Sequence, residues 1–214
     1  MNKKTLTHVF TLTVVLFSVL LLLQSNPLAI SQTNTQIITI KDDGSIDPSD
    51  APIQRDGDHY TLTSSISGGI QIQKSHIIID GVGYTLQGDG QIHGPTDKLG
   101  MGLNVVDCRN VTIKNFNVKD FTRGIRFTNA SDCVVNQNII VNNHIGVEMG
   151  YVDDSYSNNN TITANFIKEN IDAGIRLIHG TSNTINENII SANGQGISIW
   201  ATSDNIIKLN NITD

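Results

Sequence analysis

A short pattern of hydrophobic and polar residues recurs along the second half of the chain. Each copy opens on a glycine and continues with an apolar–polar–apolar triplet, as in Gly124 followed by Ile125, Arg126 and Phe127. Alternation with a period of two predicts a β-strand with one buried face. The opening glycines are spaced by 22, 22, 28 and 22 residues: Gly102, Gly124, Gly146, Gly174 and Gly196. A period of this length indicates stacked supersecondary units.

Two further apolar groups follow the triplet in each unit. In the unit that opens at Gly174 they are Ile185 and the pair Ile189–Ile190. Each unit therefore predicts three short strands, which pair in parallel with their copies in neighbouring units at about 4.8 Å. The expected fold is all-β, a parallel β-helix of about seven coils with three short strands per coil.

Composition supports this prediction, because the chain holds 31 Ile and 24 Asn. Isoleucine favours half-buried strands, and asparagine tolerates the left-handed backbone of tight bends. Stacked side-chain amides can donate to one neighbouring coil and accept from the other, at roughly 0.5–1.5 kcal/mol net per bond. We interpret two sets of in-register asparagines as such structural ladders: Asn138, Asn165, Asn188 and Asn210, then Asn143, Asn170 and Asn193.

Two sequence features carry a family resemblance. They are the stretch HIIIDGVGYTLQG at residues 76–88 and the Asn-x-Ile signature at Asn183, Asn188 and Asn205. With the repeat spacing they resemble the right-handed parallel β-helix repeats of pectate-lyase-like proteins, and most closely secreted proteins of the NosD type. The resemblance covers about residues 69–214 and implies a right-handed β-helix. It implies little about function, since that superfamily includes lyases, hydrolases, epimerases and proteins without an assigned activity.

The first 31 residues have the layout of a secretory signal peptide. Lys3 and Lys4 precede an apolar run over residues 9–23, and Ala29-Ile-Ser31 is typical of a cleavage site. The alternative is an uncleaved N-terminal membrane anchor, because the stretch from Leu6 to Leu23 is just long enough to span a bilayer. Either interpretation predicts a secreted or cell-surface protein.

Two regions follow this segment: an N-terminal cap region over 32–68 and the β-helix repeats over 69–214. The last unit, from Gly196, carries the repeat to the end of the sequence without an amphipathic cover. Terminal repeats normally differ from internal ones. We therefore expect either a longer protein or self-association through this uncapped coil.

The net charge of the chain and the positions of its histidines and cysteines limit which partners and metals we expect. A net charge of -6 argues against nucleic acid and leaves the N-terminal segment as the only predicted membrane contact. The histidines show no paired ligand spacing, so no metal is expected and the copper associated with the NosD name is not supported: His59, His76, His93, His144 and His179. Whether Cys108 and Cys133 pair is left open, since they stand at different positions in their units.

The polar residue in the middle of each triplet is expected to face outward and to form a column across the coils: Gln71, Asn104, Arg126, Glu148, Arg176 and Ser198. Glu148 then lies between two arginines, with His144 and Asp172 nearby on adjacent coils. Such a set suits proton transfer on an anionic sugar. The alternative is a surface ladder of opposite charges worth some tenths of a kcal/mol. The polygalacturonase and epimerase signatures are absent.

A second candidate site is the insertion over 151–159, where the repeat period breaks. It carries Tyr151, Asp153, Asp154 and Tyr156, which suit a sugar or Ca²⁺. The alternative is a tolerated solvent loop.

We expect an exported β-helix module that binds or scaffolds, with a polysaccharide or cell-surface glycan as partner. The rival hypothesis is a polysaccharide lyase, hydrolase or epimerase acting on acidic sugars.

Overall fold

The computed structural model describes residues 36–150 and 156–214. This part of the chain is built from short strands and one 3-10 turn, Lys98–Gly100. In chain order the strands are β1 Gln36–Ile40, β2 Ile46–Asp47, β3 Ile53–Asp56, β4 His59–Leu62, β5 Ile66–Ile72, β6 Ile77–Asp80, β7 Thr85–Gln87, β8 Met101–Val106, β9 Val111–Lys114, β10 Asn117–Lys119, β11 Arg123–Thr128, β12 Val134–Asn136, β13 Ile139–Val141, β14 Ile145–Met149, β15 Thr161–Thr163, β16 Phe166–Lys168, β17 Ala173–Ile178, β18 Thr184–Asn186, β19 Ile189–Ser191, β20 Ile197–Trp200, β21 Ile206–Lys208 and β22 Asn211–Thr213.

The strands stack into three sheets that run the length of the solenoid. The first sheet has the order β20-β17-β14-β11-β8-β5-β1, and the second has β21-β18-β15-β12-β9-β6-β4-β3. The third has β22-β19-β16-β13-β10-β7, closed by the start of β5. Among the described strands, only the pairs β1–β2 and β3–β4 are antiparallel. The predicted parallel β-helix with three strands per coil is confirmed.

The core is a thin stack of aliphatic side chains between the three sheets. In the coil of β11, Ile125, Phe127, Val135 and Ile140 are all fully buried. The last coil differs, because its equivalent Ile207 and Ile212 are 42% and 50% exposed. The self-association expected through this coil stays a prediction.

Sharp bends separate the strands, and the asparagine columns satisfy the backbone there. The residue before a column asparagine has a left-handed backbone, with φ of 56° at Gln137 and 54° at Ala164. The Asn138 side chain donates to Asn165 Oδ1 at 3.0 Å, and the Asn138 backbone N–H donates to the same oxygen. The same pair of bonds recurs from Asn165 to Asn188 and from Asn188 to Asn210. Each column amide therefore forms hydrogen bonds with the backbone at its own bend and at the bend of the preceding coil.

Two further asparagine columns stack in the same way. One joins Asn143, Asn170 and Asn193. The other, which the sequence analysis did not single out, joins Asn160 to Asn183 and Asn183 to Asn205, each at 3.2 Å. The sequence feature that marks this column is the Asn-x-Ile signature. At Asn160 the signature was not recognised, because the insertion before it shifts the spacing of the repeat.

The opening glycine of each coil is a bulge in the first sheet. Arg123 pairs with Ile145 and Ile125 pairs with Val147, so the pairing skips Gly124. A Cβ on Gly124 would lie 2.7 Å from the next coil's glycine carbonyl and 3.1 Å from Asn143 Cγ. Neighbouring strands skip their glycines at equivalent positions, so this break in the pairing reverses the alternation of side chains within each strand. The side chains before the glycine and in the middle of the triplet therefore share the outer face.

The N-terminal segment proposed as a signal peptide or anchor lies outside the described residues. Within the part that is described, no helix is long and apolar enough to cross a membrane. The cap region over 32–68 already joins the solenoid, because β1 pairs in parallel with β5 from Gln36↔Gly68 to Ile40↔Ile72.

Candidate functional site

The predicted outward column lies in the expected register along the first sheet. Arg126 pairs with Asn104 on one side and Glu148 on the other, and Glu148 pairs with Arg176. The expected solvent exposure is wrong for most of it, since Asn104 is 8% exposed, Arg126 5% and Glu148 1%. Only Arg176 and the last position of the column, Ser198, are half-buried.

Residues 88–100, which we call the covering segment, contact the part of this column nearest the amino end. The His93 backbone N–H donates to Thr122 Oγ1 at 2.7 Å, and Arg126 Nη1 donates to the Pro95 carbonyl. Lys98 lies over Gln71 and Asn104, around a small enclosed space. These contacts are mostly polar and most of the segment's residues are exposed. The segment is thus held by hydrogen bonds more than by apolar packing.

A histidine clasped by two carboxylates fixes the shape of the covering segment. His93 Nδ1 lies 2.9 Å from Asp97 Oδ2, and Nε2 lies 2.9 Å from Asp89 Oδ2. Burial works to lower the His93 pKa, but the bonds to Asp89 and Asp97 outweigh it and the pKa is raised. The Asp97 pKa is lowered by the Leu99 N–H bond and by His93. Protonated His93 donates from both nitrogens, which strengthens the clasp.

In the coil that follows Arg126, Glu148 is enclosed by two arginines. Arg123 Nε lies 2.5 Å and Arg126 Nε lies 3.6 Å from Glu148 Oε2. The side chains of all three residues are at most 10% exposed. Arg123 was not predicted, because strict alternation from Ile125 places the residue directly before the glycine on the inner face, whereas the glycine bulge returns this side chain to the outer face. Glu148 is therefore a buried ion-pair partner in this conformation, out of reach of a polymeric substrate.

Two of the other predicted acid–base candidates, Arg176 and Asp172, lie one coil further on. Arg176 Nη2 donates to Asp172 Oδ2 at 2.5 Å, and the two side chains are 22% and 32% exposed. His144 directly precedes β14 and is half-buried, and its backbone carbonyl accepts the Asp172 N–H at 2.8 Å. Four of the five candidates are thus divided between a buried cluster and a half-exposed pair, and His144 belongs to neither.

Beside the exposed pair, the first sheet forms an open pocket of about 310 Å³. It is lined by Arg176, Ile178, Ser198 and Trp200. Its wall combines a guanidinium group, a hydroxyl group, an aliphatic side chain and an indole ring. Such a mixture of an apolar wall with a few polar groups is typical of small-ligand sites.

Three rings follow one another beside this pocket, and we call them the aromatic row: Tyr156, His179 and Trp200. The ring centroids of Tyr156 and His179 are 6.1 Å apart, and those of His179 and Trp200 are 6.2 Å apart. Tyr156 is 49% and Trp200 62% exposed. Of the residues predicted on the insertion, only Tyr156 is among those described. Tyr151, Asp153 and Asp154, with the suggested Ca²⁺, lie outside them.

A family model described as "Periplasmic copper-binding protein (NosD)" matches residues 48–214. The chain belongs to the NosD family. No curated protein matches it. A solved structure of endopolygalacturonase I from Stereum purpureum, in complex with two galacturonates, is similar at 16% identity, covering 73% of this chain and 68% of that chain, with a TM-score of 0.31. That similarity is too distant to transfer a function.

The NosD description implies copper, which prefers cysteine, methionine and histidine ligands. Within residues 36–150 and 156–214, no group of three or more His, Cys, Asp or Glu side chains is placed to hold a metal ion. The two methionines of these ranges, Met101 and Met149, are 4% and 1% exposed. The described residues therefore do not fit a resident copper ion.

The two cysteines of this NosD-family chain are both free and buried. Cys133 Sγ donates to the Ser131 carbonyl at 3.2 Å, and Cys108 Sγ donates to the Val106 carbonyl at 3.1 Å. Burial raises the pKa of Cys108 and raises that of Cys133 to about 11. Both thiols are therefore protonated at neutral pH, a state that disfavours metal binding and thiolate chemistry.

Proposed function

We propose that this chain is an exported β-helix module that binds carbohydrate on the outer face of its first sheet. The observation that supports this proposal is the pocket in which the exposed indole ring of Trp200 lies beside Arg176 and Ser198. Sugar rings present apolar C–H faces that pack on aromatic rings, and hydroxyls that pair with charged and hydroxyl side chains. Export is supported by the periplasmic description of the NosD family and by the signal-like N-terminal segment.

A binding role accounts for the charged residues better than catalysis does. An enzyme acting on acidic sugars would need Glu148 or His144 beside the bound ring with a proton to move. Glu148 is instead 1% exposed and held by Arg123 and Arg126. The groups that remain open, Arg176 and Asp172, are paired with each other. This arrangement supports recognition of a sugar by a paired donor and acceptor beside an aromatic surface.

The proposal is tested by affinity electrophoresis of the purified protein through gels that contain a panel of neutral and acidic polysaccharides. We expect at least one polysaccharide to retard the protein. Trp200→Ala should abolish the retardation and Tyr84→Ala should leave it unchanged. Tyr84 is a suitable control because it is 37% exposed and lies beside β7, in the third sheet. Unretarded migration in every gel would refute the carbohydrate role.

A further inference from the structure

The direction of the aromatic row limits how a ligand can lie. Ile178 pairs with Trp200 across adjacent strands, and the His179 backbone N–H donates to the Trp200 carbonyl at 3.3 Å. His179 and Trp200 thus belong to successive coils, and Tyr156 extends the row from the coil before them. The row therefore runs parallel to the solenoid axis, across the strands. A ligand that contacts all three rings must lie along the axis.

The charges beside the row limit what the ligand can carry. The Arg176 guanidinium is already offset by Asp172 at 2.5 Å, so the pair presents no net charge. A bound carboxylate would meet the Asp172 carboxylate together with the guanidinium. The whole chain carries a net charge of -6, which disfavours the approach of a polyanion. A neutral ligand meets neither penalty.

The polar groups at the pocket match hydroxyls. Asp172 accepts hydrogen bonds, Arg176 donates them, and the Ser198 hydroxyl does both. Both charged side chains are partly exposed, so each keeps hydrogen-bonding capacity beyond their mutual bond. Neighbouring sugar hydroxyls need this combination of an acceptor and a donor a few ångströms apart. The exposed faces of Trp200 and Tyr156 supply the apolar contact on either side.

We propose that the aromatic row and the Asp172–Arg176 pair bind a neutral oligosaccharide chain lying along the solenoid axis. This assignment rests on the proposed carbohydrate function and names its ligand class. Sugar rings pack on Trp200 and Tyr156, and hydroxyls of the ring at the pocket bond to Asp172, Arg176 and Ser198. A chain long enough to reach both outer rings binds more tightly than a single sugar, because both contacts form in one binding event.

The chain contains a single tryptophan, so its fluorescence reports directly on this site. The full chain is titrated with cellohexaose, xylohexaose, mannohexaose and hexagalacturonate, and with the matching monosaccharides, by fluorescence and calorimetry. We expect at least one neutral hexasaccharide to change the Trp200 emission saturably and to bind more tightly than its monosaccharide. By calorimetry, Trp200→Ala and Tyr156→Ala should each weaken binding about tenfold, whereas Tyr84→Ala should not.

Each other outcome overturns a defined part of the assignment. Binding of hexagalacturonate alone overturns the neutral ligand and leaves the carbohydrate function standing. Binding of a neutral hexasaccharide that neither Trp200→Ala nor Tyr156→Ala weakens overturns the aromatic row as its site. Equal affinity for the monosaccharide and the hexasaccharide overturns the axial arrangement. If no sugar binds in calorimetry, the proposed function fails together with this inference.

Discussion

The two ends of the first sheet share one strand register and one outward column, yet they differ in access to solvent. Towards the amino end, Asn104, Arg126 and Glu148 are at most 8% exposed. Towards the carboxyl end, Trp200 is 62% exposed and Arg176 is half-buried. At the amino end the covering segment contacts Asn104 and Arg126, and Glu148 is enclosed by Arg123 and Arg126. A repetitive scaffold therefore acquires distinct surfaces through segments that depart from the repeat.

Replacing a carboxylate by an amide should lower the free energy of unfolding by very different amounts at the two ends of the first sheet. Glu148→Gln removes the carboxylate that Arg123 and Arg126 share in the buried cluster, and we expect a loss of about 3–5 kcal/mol in unfolding free energy. Asp172→Asn breaks the half-exposed pair with Arg176 and should cost less than about 1 kcal/mol. Urea denaturation of the two variants measures both losses. Equal losses would show that the covered end is not a low-dielectric environment.

Removing a column asparagine should lower the stability by a similar amount at both ends of the solenoid, because the columns lie inside the solenoid at both ends. Asn138 and Asn188 are each 1% exposed and make equivalent bonds to the next coil. Each change to Ala should cost about 1–3 kcal/mol, since it leaves buried amide groups without partners. Asn186→Ala is the control, on a half-buried outward position of β18. Denaturation midpoints as high as that of Asn186→Ala would contradict the structural role of the columns.

The coils and the columns were predictable from sequence because each rests on a local, repeated signal. The apolar–polar–apolar triplets after the glycines specify the strands, and asparagines at fixed spacing specify the bends. The covering segment was not predictable, because its contacts with Thr122 and Arg126 are non-local and have no period. Arg123 was hidden by the glycine bulge.

The candidate site was harder to predict than the fold. The aromatic row was not predicted, because its three residues lie at different distances along the sequence from the opening glycines of their coils. Only Tyr156 was predicted, as part of an insertion. Of the acid–base set, Arg176 lines the open pocket and is paired with Asp172, while Glu148 and Arg126 are buried. The contacts that bury Arg126 and Glu148, with Pro95 and with Arg123, are not encoded by the repeat.

The covering segment should loosen with rising pH, and the open end should not. The His93 pKa is raised in the folded state, so its stabilising contribution is fully present below its unfolded value of about 6.5. That contribution is lost as the pH rises through the folded value. We expect the hydrogen-exchange protection factor of the His93 amide to stay constant up to about pH 6.5 and to fall as the pH rises through the raised pKa of the folded state.

His93→Ala is the control for this prediction, because without the imidazole the protection factor should be low and independent of pH. The Arg176 amide in β17 should show no such dependence in either protein. A constant protection factor for the His93 amide in the unaltered protein would contradict the clasp.

The smallest effect on stability is expected at the open end. Trp200→Ala removes a side chain that is 62% exposed, so the free energy of unfolding should change by less than about 0.5 kcal/mol. Thermal denaturation of this variant measures the change. A loss comparable with that of Glu148→Gln would mean that the indole is part of the fold rather than a surface available to a ligand.

Hydroxyl-radical footprinting followed by mass spectrometry tests the contrast between the two ends most directly. Met101 lies near the covering segment and is 4% exposed, whereas Trp200 and Tyr156 are largely open. We predict rapid oxidation of Trp200 and Tyr156, slow oxidation of Met101, and protection of the two aromatic residues alone by a bound neutral oligosaccharide. Oxidation of Met101 as fast as that of Trp200, or protection by the sugar at Met101 instead, would contradict a covered end and an open binding end.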